Sequence, residues 1–144
     1  MSYQSLVLDG LFVCRWQEPD PKDVEKYATE LSVARAQQGR PLVALFIMPP
    51  DSAAPDDTFR KAQAERLPEI MSNVSFAVAV FEGTGFFASL RRSALVGILL
   101  LAPKKYPIYV RSSAEEALLT NPPGPLGFNP QMALLELRRR NFCS

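Results

Sequence analysis

Residues 41–50 read PLVALFIMPP. The run from Leu42 to Met48 is apolar throughout, with no alternation to mark a wet face, and prolines close it at both ends. A short, uniformly apolar run bounded in this way fits a strand buried on both faces. A second run of the same kind, VSFAVAVFEG (74–83), follows some thirty residues later. Between the two, TFRKAQAERLPEIM carries Phe59, Ala62, Leu67 and Ile70 at helical spacing, and Pro68 is expected to kink or shorten that helix. Strand, helix, strand with both strands buried is a βαβ unit, and so a parallel pair.

The flanking segments extend the pattern. Upstream, Asp20 can cap a helix, Pro21 suits its first position and Asp23 complements its dipole. Val24, Tyr27, Ala28, Leu31 and Ala34 then recur along one stripe, and Gly39 is the natural stop. Before that helix, YQSLVLDGLFVCRWQ places Asp9-Gly10 between two apolar segments, which reads as a tight hairpin. Downstream, FFASLRRSALVGILLLA (86–102) repeats Phe87, Leu90, Ala94, Ile98 and Leu101 on one helical face. YPIYVR is a short strand, and SSAEEALL opens with Ser113 and Glu116 at capping-box spacing. The order β-β-α-β-α-β-α-β-α predicts an α/β fold: a mostly parallel sheet of about five strands with a hairpin start and about four helices.

That domain is read as residues 1–121. Residues 122–144 form a second region. The segment TNPPGPLGFNP has four prolines and two glycines in eleven residues, a linker composition. Asn129 and Pro130 then start a C-terminal helical arm. Met132, Leu135 and either Leu134 or Leu137 are expected to form its contact face, against the domain or a second copy. Arg138, Arg139 and Arg140 complement its C-terminal end.

The chain has 144 residues, enough for one domain with its own core. Sixteen basic and fifteen acidic residues leave a net charge of +1, so no global field favours nucleic acid or an anionic membrane. No basic-then-apolar leader opens the sequence, and the longest apolar run is far short of a membrane span, so a cytoplasmic location without membrane insertion is expected. Cys14 and Cys143 do not suggest a disulfide framework. Histidine is absent. That removes the commonest general base and metal ligand, and with them Ser-His and Cys-His dyads. No catalytic residue, metal or cofactor is assigned.

Gly83, Gly85 and Ala88 spell G-x-G-x-x-A at a strand-to-helix junction. A dinucleotide fingerprint belongs in the first βαβ unit, with an acidic residue about twenty positions on. Here most of the sheet precedes the glycines, and Lys104 and Lys105 stand where the acid should be. The glycines are read as a tight turn with Thr84 as a cap.

The hairpin with LFVCRW, the helix through VEKYATELSVA, the strands PLVALFIM and FAVAVFEG, and the closing YPIYVRSSAEEALL together resemble the STAS-like, or anti-sigma-factor-antagonist-like, domains shared by STAS and SEC14-type proteins. The resemblance covers residues 3 to 120 and rests on element order and texture. The resemblance leaves the arm outside and accompanies an expected function as a regulatory, non-enzymatic module, which engages a protein partner or self-associates through a sheet edge or through the arm. It also makes Ser52, after a central strand, a phospho-switch candidate, although Ala53-Ala54-Pro55 reads as solvated loop where the family places a helix. The alternative function is a small-ligand or lipid-binding protein with an apolar pocket near Phe81, Phe86 and Phe87. The candidate partner-binding residues are Met132, Leu135, Arg138, Arg139 and Arg140.

Overall fold

The computed structural model describes residues 3–18, 20–52, 56–83, 93 and 106–144. Among these residues five strands make one mixed, mostly parallel sheet: β1 (Tyr3–Leu8), β2 (Leu11–Trp16), β3 (Leu42–Met48), β4 (Val74–Phe81) and β5 (Ile108–Arg111). They lie side by side in sequence order, β1 antiparallel to β2 and every later neighbour parallel. Helix α1 (Pro21–Gln38) joins β2 to β3, and α2 (Asp57–Ser72) joins β3 to β4. Two successive crossovers of the same hand along a sheet that grows in one direction put their helices on the same face. Accordingly α1 and α2 pack together, sharing one core with Phe12, Cys14, Trp16, Ala44, Phe46 and Ala77.

Local chemistry set these elements as expected. Gly10, at φ +75°, turns the hairpin, and Leu8 pairs with Leu11. The Asp20 side chain accepts from the Lys22 amide at the start of α1, and Gly39 ends it in the left-handed region with its N–H on the Arg35 carbonyl. All of β3 is buried. Pro68 neither breaks nor shortens α2, which runs through it to Ser72. Proline deletes one ladder bond there, and Leu67, Ile70 and Met71, buried around it, hold the helix on the sheet.

The opposite face is covered differently. Ala114, Ala117 and Leu118, from a turn that continues into a π-helical stretch (Glu116–Thr120), cover part of it. Helix α3 (Pro130–Arg139) covers more, with Ala133, Leu134 and Leu137 packed beside Leu11, Val13, Leu45, Ile47 and Val80. Ser113 caps as its spacing predicted, its hydroxyl accepting from the Glu116 amide at 3.0 Å. The proline-rich stretch is irregular, but Leu126 and Phe128 are partly buried against this core. The Arg40 guanidinium donates both to the Gly127 carbonyl and to Asp9, tying the stretch to the hairpin turn. The segment is therefore fastened to the domain that its composition suggested it merely leaves.

Candidate functional site

Helix α3 starts on the Asn129 side chain, which accepts from the Met132 amide at 3.0 Å. It ends in a Schellman-type turn: Asn141 takes φ +60°, and the Phe142 N–H reaches back to the Leu137 carbonyl at 2.8 Å. The turn folds Phe142 and Cys143 onto the same core as Leu137. The face that docks on the domain is thus Ala133, Leu134 and Leu137, whereas Met132 and Leu135, expected to dock, are each 63% exposed. The shift has a simple cause: residues 133, 134 and 137 share one side of a 3.6-residue helix, and the turn at Asn141 adds Phe142 to that side.

Around the outer face of α3 the charges are organised. Glu136 accepts from Arg139 and Arg140, and these two guanidinium groups hold its carboxyl down at about 2. Arg138 lies 3.9 Å from Glu115 and donates through Nε to the Ser144 carbonyl. The three arginines anticipated as a partner-binding group are all exposed and all have acceptors within the chain. Beside them, Met132 and Glu136 face Leu8, Asp9 and Phe128 across an open groove of about 330 Å³.

The C-terminal end of the sheet holds an ion pair. Glu82 is buried, 3.0 Å from Arg15 across the intervening strand β3. Its other oxygen accepts from the Ser144 amide, and Arg15 also donates to the Phe142 carbonyl. Two strand ends and the chain's last residues meet in one clasp. The signal available beforehand was the lone arginine in LFVCRW, which needs an acceptor if its strand is interior.

Ser52 does not lie in a solvated loop. It is buried, and its hydroxyl donates to the Pro49 carbonyl at 2.9 Å, so phosphorylation there requires the Pro49–Ser52 turn to open. Gly83 takes φ +90°, and a Cβ on it would meet the Pro50 ring at 3.0 Å, a close approach that only glycine fits. Thr84, Gly85, Ala88, Lys104 and Lys105 lie outside the described residues, as do Phe86 and Phe87 of the anticipated pocket. Phe81 is buried in the α1–α2 core. In that core a cavity of about 40 Å³ is lined by Trp16, Phe46, Met48, Gln63, Met71 and Ala79, among others. It is nearly all apolar, but Gln63 Oε1 has no hydrogen-bond partner among the described residues.

Cys14 and Cys143 are free thiols in the cores on opposite faces of the sheet, and burial raises both. Neither is in an environment that makes a nucleophilic thiolate. Among the described residues no group of three metal-ligating side chains is assembled, and no helix is long and apolar enough to cross a membrane. No protein-family model matches the chain, and no curated protein matches it.

Proposed function

We propose that the chain is a non-catalytic, cytoplasmic interaction module of STAS-like build, whose partner-binding surface is the outer face of α3. One observation carries the reading: α3 is already stabilised by its inner face, yet keeps Met132 and Leu135 at 63% exposure one turn apart. Large apolar side chains adjacent in space on a helix that needs neither for its own docking mark an interaction site. The arginine cluster at the end of the same helix would border such a contact and favour an acidic rim on the partner. The STAS-like build is supported by the element order, in which an antiparallel hairpin leads into parallel strands added one after another. The ligand-binding alternative rests on Phe86 and Phe87, which lie outside the described residues; the cavity of about 40 Å³ in the α1–α2 core suits a water-sized guest rather than a lipid.

The test is affinity capture from the source cells with the wild-type chain and a Leu135→Glu variant as parallel baits. The reading expects a protein retained by the first and lost by the second while both baits melt at the same temperature. Identical capture profiles would contradict it.

A further inference from the structure

Strand β1 is one edge of the sheet, and its outer side has no strand paired to it among the described residues. Natural edges are usually guarded by charge, proline, a bulge or extreme shortness. β1 has none of these: YQSLVL is six residues long, uncharged, and in unbroken register with β2 from Tyr3↔Trp16 to Leu8↔Leu11. The other edge among the described residues, β5, is four residues long and carries Arg111.

Exposed apolar side chains stand beside β1. Val7 is 42% exposed. Glu30 of α1 accepts from the Tyr3 and Ser5 hydroxyls, and Gln38 donates to the Leu8 carbonyl, so α1 runs alongside β1 in the same direction. One helical turn beyond Glu30 stands Val33, half exposed, on the stretch of α1 that passes Val7. Two valines are thus left open beside an unpaired backbone edge.

We infer that β1 pairs antiparallel with β1 of a second copy of this chain, closing a two-fold dimer with one continuous sheet. The strand is self-complementary for this. Counting by alternation from the closing hairpin pair Leu8↔Leu11, the backbone groups of Leu6 and Gln4 bond to β2, and those of Tyr3, Ser5 and Val7 point outward. A two-fold axis normal to the sheet at Ser5 sets Ser5 opposite its copy and Tyr3 opposite the second copy's Val7, keeping every side chain on its own face. Each opposed pair exchanges two backbone hydrogen bonds. Tyr3 against valine is an aromatic–β-branched pair, a combination favoured across strands, and it covers the exposed Val7. Neither strand carries a charge of its own, and the Glu30 carboxylate that each copy brings toward the axis is held by the Tyr3 and Ser5 hydroxyls. An isologous contact of this kind closes on itself, whereas β1 against β5 of another copy would propagate.

The inference is independent of the reading of α3, and the test separates them. Sedimentation velocity over a dilution series of the full chain, with hydrogen exchange at the two ends of the series, is expected to show a dimer. Its Tyr3, Ser5 and Val7 amides should gain protection with concentration. Val7→Lys, at an exposed position, should weaken dimerisation at least ~tenfold while the melting temperature of the dilute monomer stays unchanged, and Leu135→Glu should leave the dimer intact. A wild-type chain that stays monomeric overturns the inference. So does a dimer that survives Val7→Lys with no added protection in β1, or one abolished by Leu135→Glu alone.

Discussion

On one face of the sheet lie α1 and α2, each obliged to be there by the strand it delivers. On the other lie a π-helical turn, a proline-rich stretch and α3, none of which joins two paired strands among the described elements. Both faces end up with buried cores. The first cover is imposed by topology and by local signals such as caps and stripes. The second is held by long-range tethers: Arg40 to Asp9 and Gly127, and Arg15 and Glu82 to the chain end. A cover fastened from outside can be unfastened, which makes the arm side the natural place for mutations to tell structure from interaction.

The largest effect should come from removing residues 122–144. That strips Leu134, Leu137 and Phe142 from Leu11, Val13 and Ile47. At about 1.5–3 kcal/mol per buried large side chain, the loss approaches the net stability of a typical domain. The truncated chain is expected to lose its cooperative calorimetric transition; an unchanged transition would mean that the first face alone sustains the fold.

Loosening the clasp should cost less. Arg15→Met removes the guanidinium from Glu82 and from the Phe142 carbonyl, while the Ser144 amide still serves the buried carboxylate. Losing hydrogen bonds to a charged group at this partly exposed site costs about 1–3 kcal/mol, a fall of several degrees in melting temperature. The amides of Phe142 and Ser144 should exchange faster. In a double-mutant cycle with Glu82→Gln the two losses should be less than additive, because both remove the same contact.

The first face was readable because its information is local. Asp20, Pro21 and Gly39 bound α1 within their own neighbourhood, and the unbroken apolar run of β3 announces burial on both sides. The alternation of strands and helices then left few topologies. The arm's existence and its start at Asn129–Pro130 were readable for the same reason. Its orientation was not. Met132, Leu134, Leu135 and Leu137 offer overlapping apolar stripes, and the choice among them was made by the tertiary surface and by Asn141, which swings Phe142 in under Leu137. Ser52 was misplaced and Glu82 passed over for a related reason: both sit where a strand ends, and their burial depends on what another segment lays over that end. The Arg15–Glu82 pair joins residues 67 positions apart, a separation that no local pattern encodes.

The account stands on α3 docking through Leu137 and presenting Leu135. Thermal unfolding of Leu137→Glu and Leu135→Glu, measured side by side, tests it most directly. A glutamate at 137 buries an unpaired carboxylate in an apolar core and should cost well over ~4 kcal/mol, abolishing or sharply lowering the transition. A glutamate at 135 meets solvent and should shift stability by no more than ~0.5 kcal/mol, a degree or two in melting temperature. Equal destabilisation by the two substitutions, or the larger loss at Leu135, would contradict the assignment of the helix faces and the interaction surface built on it.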